Sequence, residues 1–385
     1  MSANSAARGV FLARSSKPPK LREVRFEDYS QIAALALKYE LEGEERAAWM
    51  HLWTENPTLR EIKDKFPMGW VLETADGNIA GYLGNIPLSY EFGDKELLAA
   101  ATRSWVVESA YRAYSLLLLA TYYQQTNVDL FLATSVNSQS AVASDVFQNV
   151  QVPVGAWDRT LFWITHPQGF SESLFRKRGW RLARPLSYPV AAAISVRDQF
   201  RGSRFRSAES EVRVLPCASF DERFEAFWTA LKKKKSRILL GVRSRETLEW
   251  HFKFPLRDNS AWIYTIEGDA GLAAYAVFLR QDRRQVGLRR VCLADFQCLE
   301  QERAPAFFMA MLETAFERCR QESIHMLELI GLTPSLEEIA GRASPHRRQL
   351  ASWMYFYKAR DRVLGERLTS PEVWEPSLFD GDSSL

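Results

Sequence analysis

The sequence predicts an α+β protein built from two copies of one mixed fold. Strand-like and helical segments alternate in a regular order through the first half of the chain, and a hairpin motif of that half recurs in the second. The composition is that of an ordinary globular protein. Hydrophobic residues make up 46% of the 385 residues and charged residues 25%, which excludes collagen-like, low-complexity and wholly disordered chains.

The elements of the first copy follow from local patterns in chain order. A short strand over 21–26 precedes helices over 29–39 and 42–53, and the second helix ends before Asn56-Pro57 because the residue before a proline disfavours helix. Asp76-Gly77 is a strong hairpin turn. The remaining expected elements are strands over 69–74, 79–90, 97–107 and 129–135, helices over 115–125 and 137–147, and a final strand pair within 150–165.

The pattern recurs beyond a charged, small-residue segment over 201–211, which we interpret as the linker between domains. Trp70 and Tyr82 flank the first hairpin turn, and Trp262 and Tyr275 flank a second turn at nearly the same spacing. A helix over about 303–320 then matches the helix over 115–125. These agreements predict domains over 21–200 and 212–368, a leader over 1–20 and a tail over 369–385 that packs back in part and frays at its end.

Composition also limits the partners and cofactors. The net charge is only +3, so no general affinity for nucleic acid is expected. The four cysteines form no Cys-x-x-Cys pair and the five histidines are scattered, so we expect no metal site and reduced cysteines. The longest apolar stretch, 113–123, is about half the ~20 residues of a membrane-spanning helix. The basic leader is expected to be disordered, with an organelle transit peptide as the alternative.

The junction from strand to helix at Val106–Leu117 carries the most chemistry. Backbone N–H groups at a helix start lack partners within the helix, so a phosphate can bind there without any side chain. Arg112 would add a full positive charge, and Ser115 is expected to cap the helix. The alternative is a surface arginine beside an ordinary capping serine.

Together with the element order, this junction resembles the GNAT superfamily of acyl-CoA-dependent N-acyltransferases over about 21–165. In that family the fourth strand leads into a loop, Arg/Gln-x-x-Gly-x-Gly/Ala, whose amides hold the pyrophosphate of coenzyme A. Ser115 and Leu117 replace the two small residues, and the bulk of Leu117 is expected to crowd the phosphate. The matching residues are Arg112, Ala113, Tyr114, Ser115, Leu116 and Leu117.

The resemblance implies direct attack of an amine on a thioester, without a metal. In the family, a backbone N–H of the fourth strand polarises the thioester carbonyl, and Val106 and Val107 match that segment. Ala101 stands where the family often has a glutamate, so Glu108, the nearest carboxylate in the stretch, is our candidate general base. The alternative for Glu108 is a surface ion pair with Arg103 or Arg112.

A second family feature follows the fifth strand. GNAT enzymes often place an asparagine there that contacts the pantetheine arm, and a tyrosine seven residues on that protonates the leaving thiolate. Asn137 matches the asparagine, with Ser140 at the small position, whereas Ser144 stands in place of the tyrosine and cannot act as an equivalent acid. The alternative for Asn137 is a plain helix N-cap.

The second copy resembles the same fold without the site. The segment over 295–306 lacks the loop pattern, and Glu300, Glu302 and Pro305 would repel or displace a pyrophosphate. We interpret this copy as a partner domain that shapes the acceptor cleft, an architecture similar to that of mycothiol synthase and Fem-type aminoacyltransferases. Four tryptophans are expected either in the core or stacked on a sugar ring. They are Trp49, Trp53, Trp250 and Trp262.

The leading hypothesis is a cytoplasmic tandem N-acyltransferase that moves an acyl group, most simply acetyl, from acetyl-CoA or another acyl-CoA to a small amine such as an amino sugar. A basic cluster at Lys232, Lys233, Lys234 and Lys235 is either a solvated helix end or a site for tRNA or an anionic glycan. An aminoacyl-tRNA-dependent Fem-like transferase and a non-catalytic scaffold are therefore the alternatives. No membrane insertion is expected, and a homodimer stays open.

Overall fold

The computed structural model describes residues 17–385 except 42, 63–64, 156, 181, 202–211, 270, 345 and 351–353. Most of the predicted leader and nearly all of the predicted linker lie outside the described residues. The domain boundaries at 200 and 212 therefore stay a prediction.

The elements of the first half agree with the predicted order. They are strand β1 (Lys20–Glu23), helices α1 (Tyr29–Lys38), α2 (Arg46–Thr54) and α3 (Pro57–Glu61), strands β2 (Gly69–Glu73), β3 (Ile79–Phe92) and β4 (Lys95–Val107), helix α4 (Ser115–Tyr123), strand β5 (Leu130–Val136), helix α5 (Ser138–Val146), and strands β6 (Val150–Gln151) and β7 (Arg159–Ile164). The short helix α3 and a 3-10 helix over Ser109–Tyr114 were not predicted.

The second half begins with helices α6 (Pro167–Lys177) and α7 (Ala183–Arg201) and then repeats the pattern of the first. It continues with β8 (Leu215–Cys217), α8 (Glu222–Lys234), β9 (Leu240–Gly241), α9 (Arg245–Arg257), β10 (Ala261–Gly268), β11 (Gly271–Arg280), β12 (Arg290–Cys298), α10 (Ala304–Gln321), β13 (Met326–Ile330), α11 (Pro334–Ala343), β14 (His346–Gln349), β15 (Met354–Ala359) and α12 (Arg362–Arg367). The predicted second hairpin, β10–β11, and the helix after it are confirmed.

The described strands form two mixed sheets of the same design. The first has the order β1-β2-β3-β4-β5-β15-β6, with β9 paired to β3, and the second has the order β14-β7-β13-β12-β11-β10-β8. Each contains one parallel pair, β4 with β5 and β12 with β13, joined in the chain by a helix, and antiparallel neighbours around it. The predicted α+β class, with two mixed and mostly antiparallel sheets flanked by helices, is confirmed.

The two sheets exchange one strand each. β7 pairs antiparallel with β13 of the second sheet, and β15 pairs antiparallel with β5 of the first. Two strands form within 150–165, as predicted, but they do not pair with each other: β6 joins β15 in the first sheet and β7 joins β13 and β14 in the second. Local pattern could not reveal this, because a strand's hydrophobic alternation shows that one face is buried but does not identify the neighbouring strand.

The chain divides into two compact units, which we describe separately. The first unit comprises the described residues up to Met50 together with Pro67–Asn85 and Arg103–Gln125. Here helix α4 packs on β2, where the rings of Trp70 and Tyr122 meet edge to face at 6.5 Å. Val71 and Leu72 of β2 are completely buried although they point to opposite faces, so this strand is covered on both sides.

The second unit comprises His51–Phe66, Ile86–Thr102 and the described part of Thr126–Leu385. Alternate residues of β10–β13 face two hydrophobic clusters, one against α10 and the other against α8 and α9. The second sheet is therefore sandwiched between helices, as a strand with two apolar faces requires. Across the chain all four of the singled-out tryptophans are buried, which confirms the core interpretation for them.

Candidate functional site

The ladder between the parallel strands β4 and β5 is short. It joins Ala99 to Leu130, Ala100 to Phe131 and Ala101 to Leu132, although β4 continues for six more residues and β5 for four. On its other edge β5 pairs with β15 from Leu130 to Val136. The backbone donors of β4 beyond Ala101 on the β5 side are thus not used by this ladder.

Strand β4 changes its geometry just after the ladder. Ser104 has φ of 53°, the left-handed region that a serine rarely adopts. Gly84 of β3 lies opposite Arg103 of β4, since a Cβ added at Gly84 would lie 3.2 Å from Arg103 Cβ. Further along the same pair of strands, Ala80 O of β3 accepts from the N–H of Glu108 at 2.7 Å. Gly84 and Ala80 are four residues apart but Arg103 and Glu108 are five apart, so β4 holds one extra residue. This is a β-bulge, which bends a strand and disrupts its ladder.

The turn after β4 is helical from its start. The 3-10 helix over Ser109–Tyr114 runs directly into α4, and the N–H of Ser115 donates to Arg112 O. The N-cap of α4 is Tyr114, with no side-chain cap, so the prediction that Ser115 caps this helix was wrong. The 3-10 turn supplies the start of the helix and makes a serine cap unnecessary. At the front of the turn, the hydroxyl of Tyr39 accepts from the N–H of Ser109 at 3.0 Å.

The side chains of this turn are accessible to a ligand. Arg112 and Ala113 are exposed, and Leu116 and Leu117 are 41% and 46% exposed, whereas Val106 at the end of β4 is buried. Of the other predicted cofactor contacts, Val107, Tyr114 and Ser115 are partly buried. Arg112 is exposed, and the roles of these residues stay a prediction.

Glu108 forms a different ion pair from either predicted one. Its carboxylate lies 2.6 Å from Lys38 Nζ, and this hydrogen bond raises the pKa of the lysine. Arg103 instead pairs with Glu44. The carboxylate of Glu108 thus pairs with an exposed lysine.

Asn137 is the N-cap of α5, because its side-chain oxygen accepts from the N–H of Ser140 at 2.8 Å. The plain capping interpretation is confirmed. Capping uses the carboxamide oxygen, so the carboxamide nitrogen is not needed for it. Ser144, in the position of the family's tyrosine, is buried on the same helix.

The tail of the chain packs back, as predicted, and it contacts β5, a partner that the sequence did not indicate. Thr134, two residues beyond the β4–β5 ladder, donates its hydroxyl to Asp382 at 2.6 Å and lies 3.1 Å from the hydroxyl of Ser383. Ser384 is buried and its hydroxyl lies 2.7 Å from His251 Nε2. The expectation that the tail frays at its end was therefore wrong: satisfied polar contacts hold it through position 384.

A buried ionic cluster anchors the same tail. Arg243 contacts Asp295 on β12 at 2.9 Å and Asp380 in the tail at 3.2 Å, and Tyr275 donates to Asp295 at 2.8 Å. Burial would raise the pKa of Asp295, but the charge and hydrogen bonds of Arg243 hold it below the ordinary value. The signal for this cluster was a lone aspartate within the apolar strand β12, since a charge in such a place requires a buried partner.

The lysine cluster is largely engaged within the chain. Lys232 pairs with Glu91, Lys235 pairs with Glu375, and Lys234 donates to Leu299 O at 2.8 Å, while Lys233 is exposed. Among the described residues no group of three or more histidine, cysteine or carboxylate side chains is placed to hold a metal ion. The described helices include none with the length and apolar composition needed to cross a bilayer.

The solved structures to which the chain is similar include three that are described as transferases. A GCN5-related N-acetyltransferase from Anabaena variabilis has a TM-score of 0.52 at 11% identity, over 89% of this chain and 73% of its own. Saccharomyces cerevisiae N-myristoyltransferase with bound myristoyl-CoA and inhibitors has 0.56 at 10%, over 89% and 82%. A probable N-acyltransferase from Enterococcus faecalis has 0.52 at 8%, over 89% and 72%.

No protein-family model and no curated protein sequence matches the chain. At these low identities the structural likeness concerns the fold. The chain has the GNAT fold in a double arrangement, as the resemblance implied.

Proposed function

We propose that this chain is an acyl-CoA-dependent N-acyltransferase whose first copy binds the acyl-CoA. The observation that carries the proposal is the end of the β4–β5 ladder after three pairs, followed by the bulge at Ser104. A strand that leaves its ladder in this way has backbone N–H groups to offer to a ligand. The fold is shared with a GCN5-related N-acetyltransferase and with N-myristoyltransferase bound to myristoyl-CoA, and this likeness supports the same proposal.

In the proposed reaction the amine nitrogen of the acceptor attacks the carbonyl carbon of the thioester. One N–H group of the β4 segment at Val106 and Val107 is placed by the proposal at the carbonyl oxygen, where it would stabilise the developing negative charge. Because Glu108 donates its N–H to β3 and the donors alternate along a strand, Val107 is the residue whose N–H is directed towards β5. The C–N bond forms, the C–S bond breaks, and the nitrogen loses a proton to a base. The thiolate leaves and takes a proton from water, since Ser144 is not an acid of the required strength.

Arg112 is proposed to bind the pyrophosphate together with the helical turn over 109–117. Charge-assisted hydrogen bonds from a guanidinium to a phosphate are stronger than neutral ones, so Arg112→Ala should weaken acyl-CoA binding roughly tenfold. Calorimetric titration of the full chain with acetyl-CoA and with myristoyl-CoA measures this and also compares acyl lengths. Arg46→Ala, an exposed arginine on α2, is the matched control. If no acyl-CoA binds the unmodified chain, the proposal fails.

Glu108 is the proposed general base. The ion pair with Lys38 must open, or a water must relay the proton, before the carboxylate can take a proton from the amine. Glu108→Gln should lower kcat by about 10²-fold with little change in acyl-CoA affinity. The release of free thiol with a panel of small amines, amino sugars included, measures kcat. An unchanged kcat would remove the role of Glu108 and leave the transferase proposal intact.

The Fem-like alternative gains little from the lysine cluster, since three of its four lysines contact groups of the chain itself. It predicts salt-dependent tRNA binding that weakens when the four lysines are replaced by alanine. A chain that binds acyl-CoA without turnover of any amine would favour the scaffold alternative.

A further inference from the structure

A cleft of about 600 Å³ lies in the second unit, and none of the residues that line it belongs to the proposed acyl-CoA site. Its walls come from α6, Trp180, the first turn of α7, the loop before β12 and His325, which precedes β13. β12 and β13 begin side by side at Arg290 and Met326, so the cleft lies at the amino ends of this parallel pair. In the first copy, the family resemblance places coenzyme A at the carboxyl end of the fourth strand, β4. The strand of the second copy that corresponds to β4 is β12, so the cleft lies at the opposite end of the corresponding strand. We name this cleft the histidine cleft.

The histidine cleft carries an excess of positive charge. Three arginines line it, and its one lining carboxylate, Glu172, lies 2.5 Å from Arg176 on the same helix. Among the described residues neither Arg184 nor Arg289 forms an ion pair with a carboxylate. Two guanidinium groups therefore face the cleft uncompensated, which favours an anionic ligand.

Arg289 is held in place by a buried histidine. Its Nε lies 3.2 Å from His325 Nε2, and its backbone N lies 3.3 Å from His325 Nδ1. His325 is 6% exposed, and its ring stacks on that of His166 at 5.7 Å. Burial, then the charges of Arg289 and His166, lower the pKa of His325 to about 4, so the ring stays neutral beside the arginine. A neutral imidazole accepts at one nitrogen only, and in the tautomer that carries its proton on Nδ1 the ring accepts from Arg289 Nε and leaves the terminal nitrogens of the guanidinium for a ligand.

Two glycines keep the walls of the cleft close. A Cβ on Gly169 would lie 2.3 Å from His325 Nε2, so the imidazole can pack against the first turn of α6 only because that residue is glycine. Gly287 has φ of 67° and a Cβ there would lie 2.8 Å from Arg176 Nη1. The arrangement of histidine and arginine thus depends on residues that contribute no side chain.

The cleft also has a planar apolar surface. Trp180 lines it, is 48% exposed, and stacks one face on Phe175 with ring centroids 5.0 Å apart. The stacking holds the indole in one orientation while a large part of the side chain stays accessible. A planar ring of a ligand can stack on such a surface.

We propose that the histidine cleft binds a small molecule that joins a phosphate group to a planar ring, as a nucleoside monophosphate does. The phosphate is held by Arg289 and Arg184, and the ring lies on Trp180. Arginine forks match phosphate oxygens in pairs, which sets the orientation of the ligand. The volume of the cleft falls within the range of roughly 300–1,000 Å³ that small-molecule sites occupy.

The test is calorimetric titration of the full chain with adenosine 5′-monophosphate, inorganic phosphate and adenosine. Adenosine monophosphate should bind more tightly than either fragment. Arg289→Gln and Arg184→Ala should each weaken its binding by roughly 10- to 100-fold. Trp180→Ala should weaken the binding of adenosine monophosphate and leave that of phosphate unchanged. Arg184 is exposed, so its replacement does not threaten the fold.

Arg178→Ala, an exposed arginine at the end of the same helix α6 that does not line the cleft, is the matched control and should bind normally. A parallel titration with saturating coenzyme A distinguishes the source of the nucleotide. Unchanged binding indicates a free nucleotide, and competition that both arginine variants weaken indicates the adenylate part of coenzyme A. Binding that coenzyme A abolishes but neither arginine variant affects belongs to the first copy and overturns the proposal, as does an absence of binding.

Discussion

His325 is a histidine that the folded chain keeps uncharged, and its neighbours determine how stability depends on pH. Its folded pKa of about 4 lies below the ordinary value of 6.5, chiefly through burial and then through Arg289 and His166, against a weaker opposing effect of Asp282. Because the pKa is depressed on folding, the unfolded chain binds the proton first as the pH falls. The contribution of the neutral ring is therefore complete above pH 6.5 and is lost towards pH 4.

We predict that the free energy of unfolding falls by up to about 3 kcal/mol between pH 6.5 and 4, because in this range His325 takes up its proton more readily in the unfolded chain. The free energy of unfolding from denaturant titrations, measured at intervals across this range, gives the slope. In His325→Gln the slope should be smaller, since the replacement cannot take up a proton. Equal slopes for the two proteins would show that His325 is not protonated on unfolding in this window.

The substitution Leu117→Ala tests whether the departure from the family's loop pattern weakens the binding of acyl-CoA. Its side chain is 46% exposed on α4, so Leu117→Ala removes bulk at little cost in packing and keeps a good helix former. We predict a few-fold tighter binding of acetyl-CoA in calorimetry and an unchanged Tm. Leu116→Ala, 41% exposed and one position away, is the control that should leave binding unchanged. If both variants bind alike, Leu117 does not crowd the phosphate.

Single residues were predictable where one local rule decides them. The capping role of Asn137 follows from the helix that begins after it, and the burial of Trp262 from an apolar strand. The prediction that Ser115 caps α4 was wrong because the 3-10 turn before this helix has no strong sequence pattern. Arg243 was missed because its partners, Asp295 and Asp380, lie far away in the chain, so no spacing rule connects them.

At the scale of elements, the bulge in β4 is the feature on which the proposed site depends. Ser104 adopts a left-handed backbone at a cost of about 1 kcal/mol for a residue with a Cβ. Ser104→Gly should therefore leave stability unchanged or raise it by up to about 1 kcal/mol, whereas Ser104→Val should lower it by more than 1 kcal/mol. Thermal unfolding measures both. Equal destabilisation by the two would show that the serine side chain, and not its backbone geometry, matters here.

Most elements of the first sheet could be predicted because hairpin turns and proline boundaries are local. The turn at Asp76-Gly77 joins β2 and β3 as expected, and Asn56-Pro57 ends α2. The start of the predicted helix over 42–53 was too early, since α2 begins at Arg46. The bulge itself could not be predicted, because it follows from how β4 meets two neighbours rather than from the strand's own alternation.

At the scale of the whole molecule, the exchange of β7 and β15 makes each sheet depend on both halves of the chain. Without β15 the strand β5 would be an open edge, and without β7 the strand β13 would be one as well. Open edges with apolar faces aggregate. The tandem architecture could be predicted from the repeated hairpin, but the exchange could not, since a repeat reveals similarity and not partnership.

We predict that neither half folds alone. Chains cut between residues 206 and 207 and expressed singly should aggregate or lack a cooperative unfolding transition. The same halves expressed together should form a soluble complex with the circular dichroism of the intact chain. Size-exclusion chromatography and thermal unfolding measure this, and a cooperatively folded single half would contradict the prediction.

The exchange of β7 and β15 also means that the first sheet cannot be completed until late in synthesis on the ribosome. β5 emerges long before β15, with more than 200 residues between them. At roughly 5–20 residues per second, the nascent chain carries an incomplete sheet for about 10 to 40 seconds before its last strand can arrive. Chaperones that shield exposed strands are therefore most needed during this interval, and a slowly translated messenger would lengthen it.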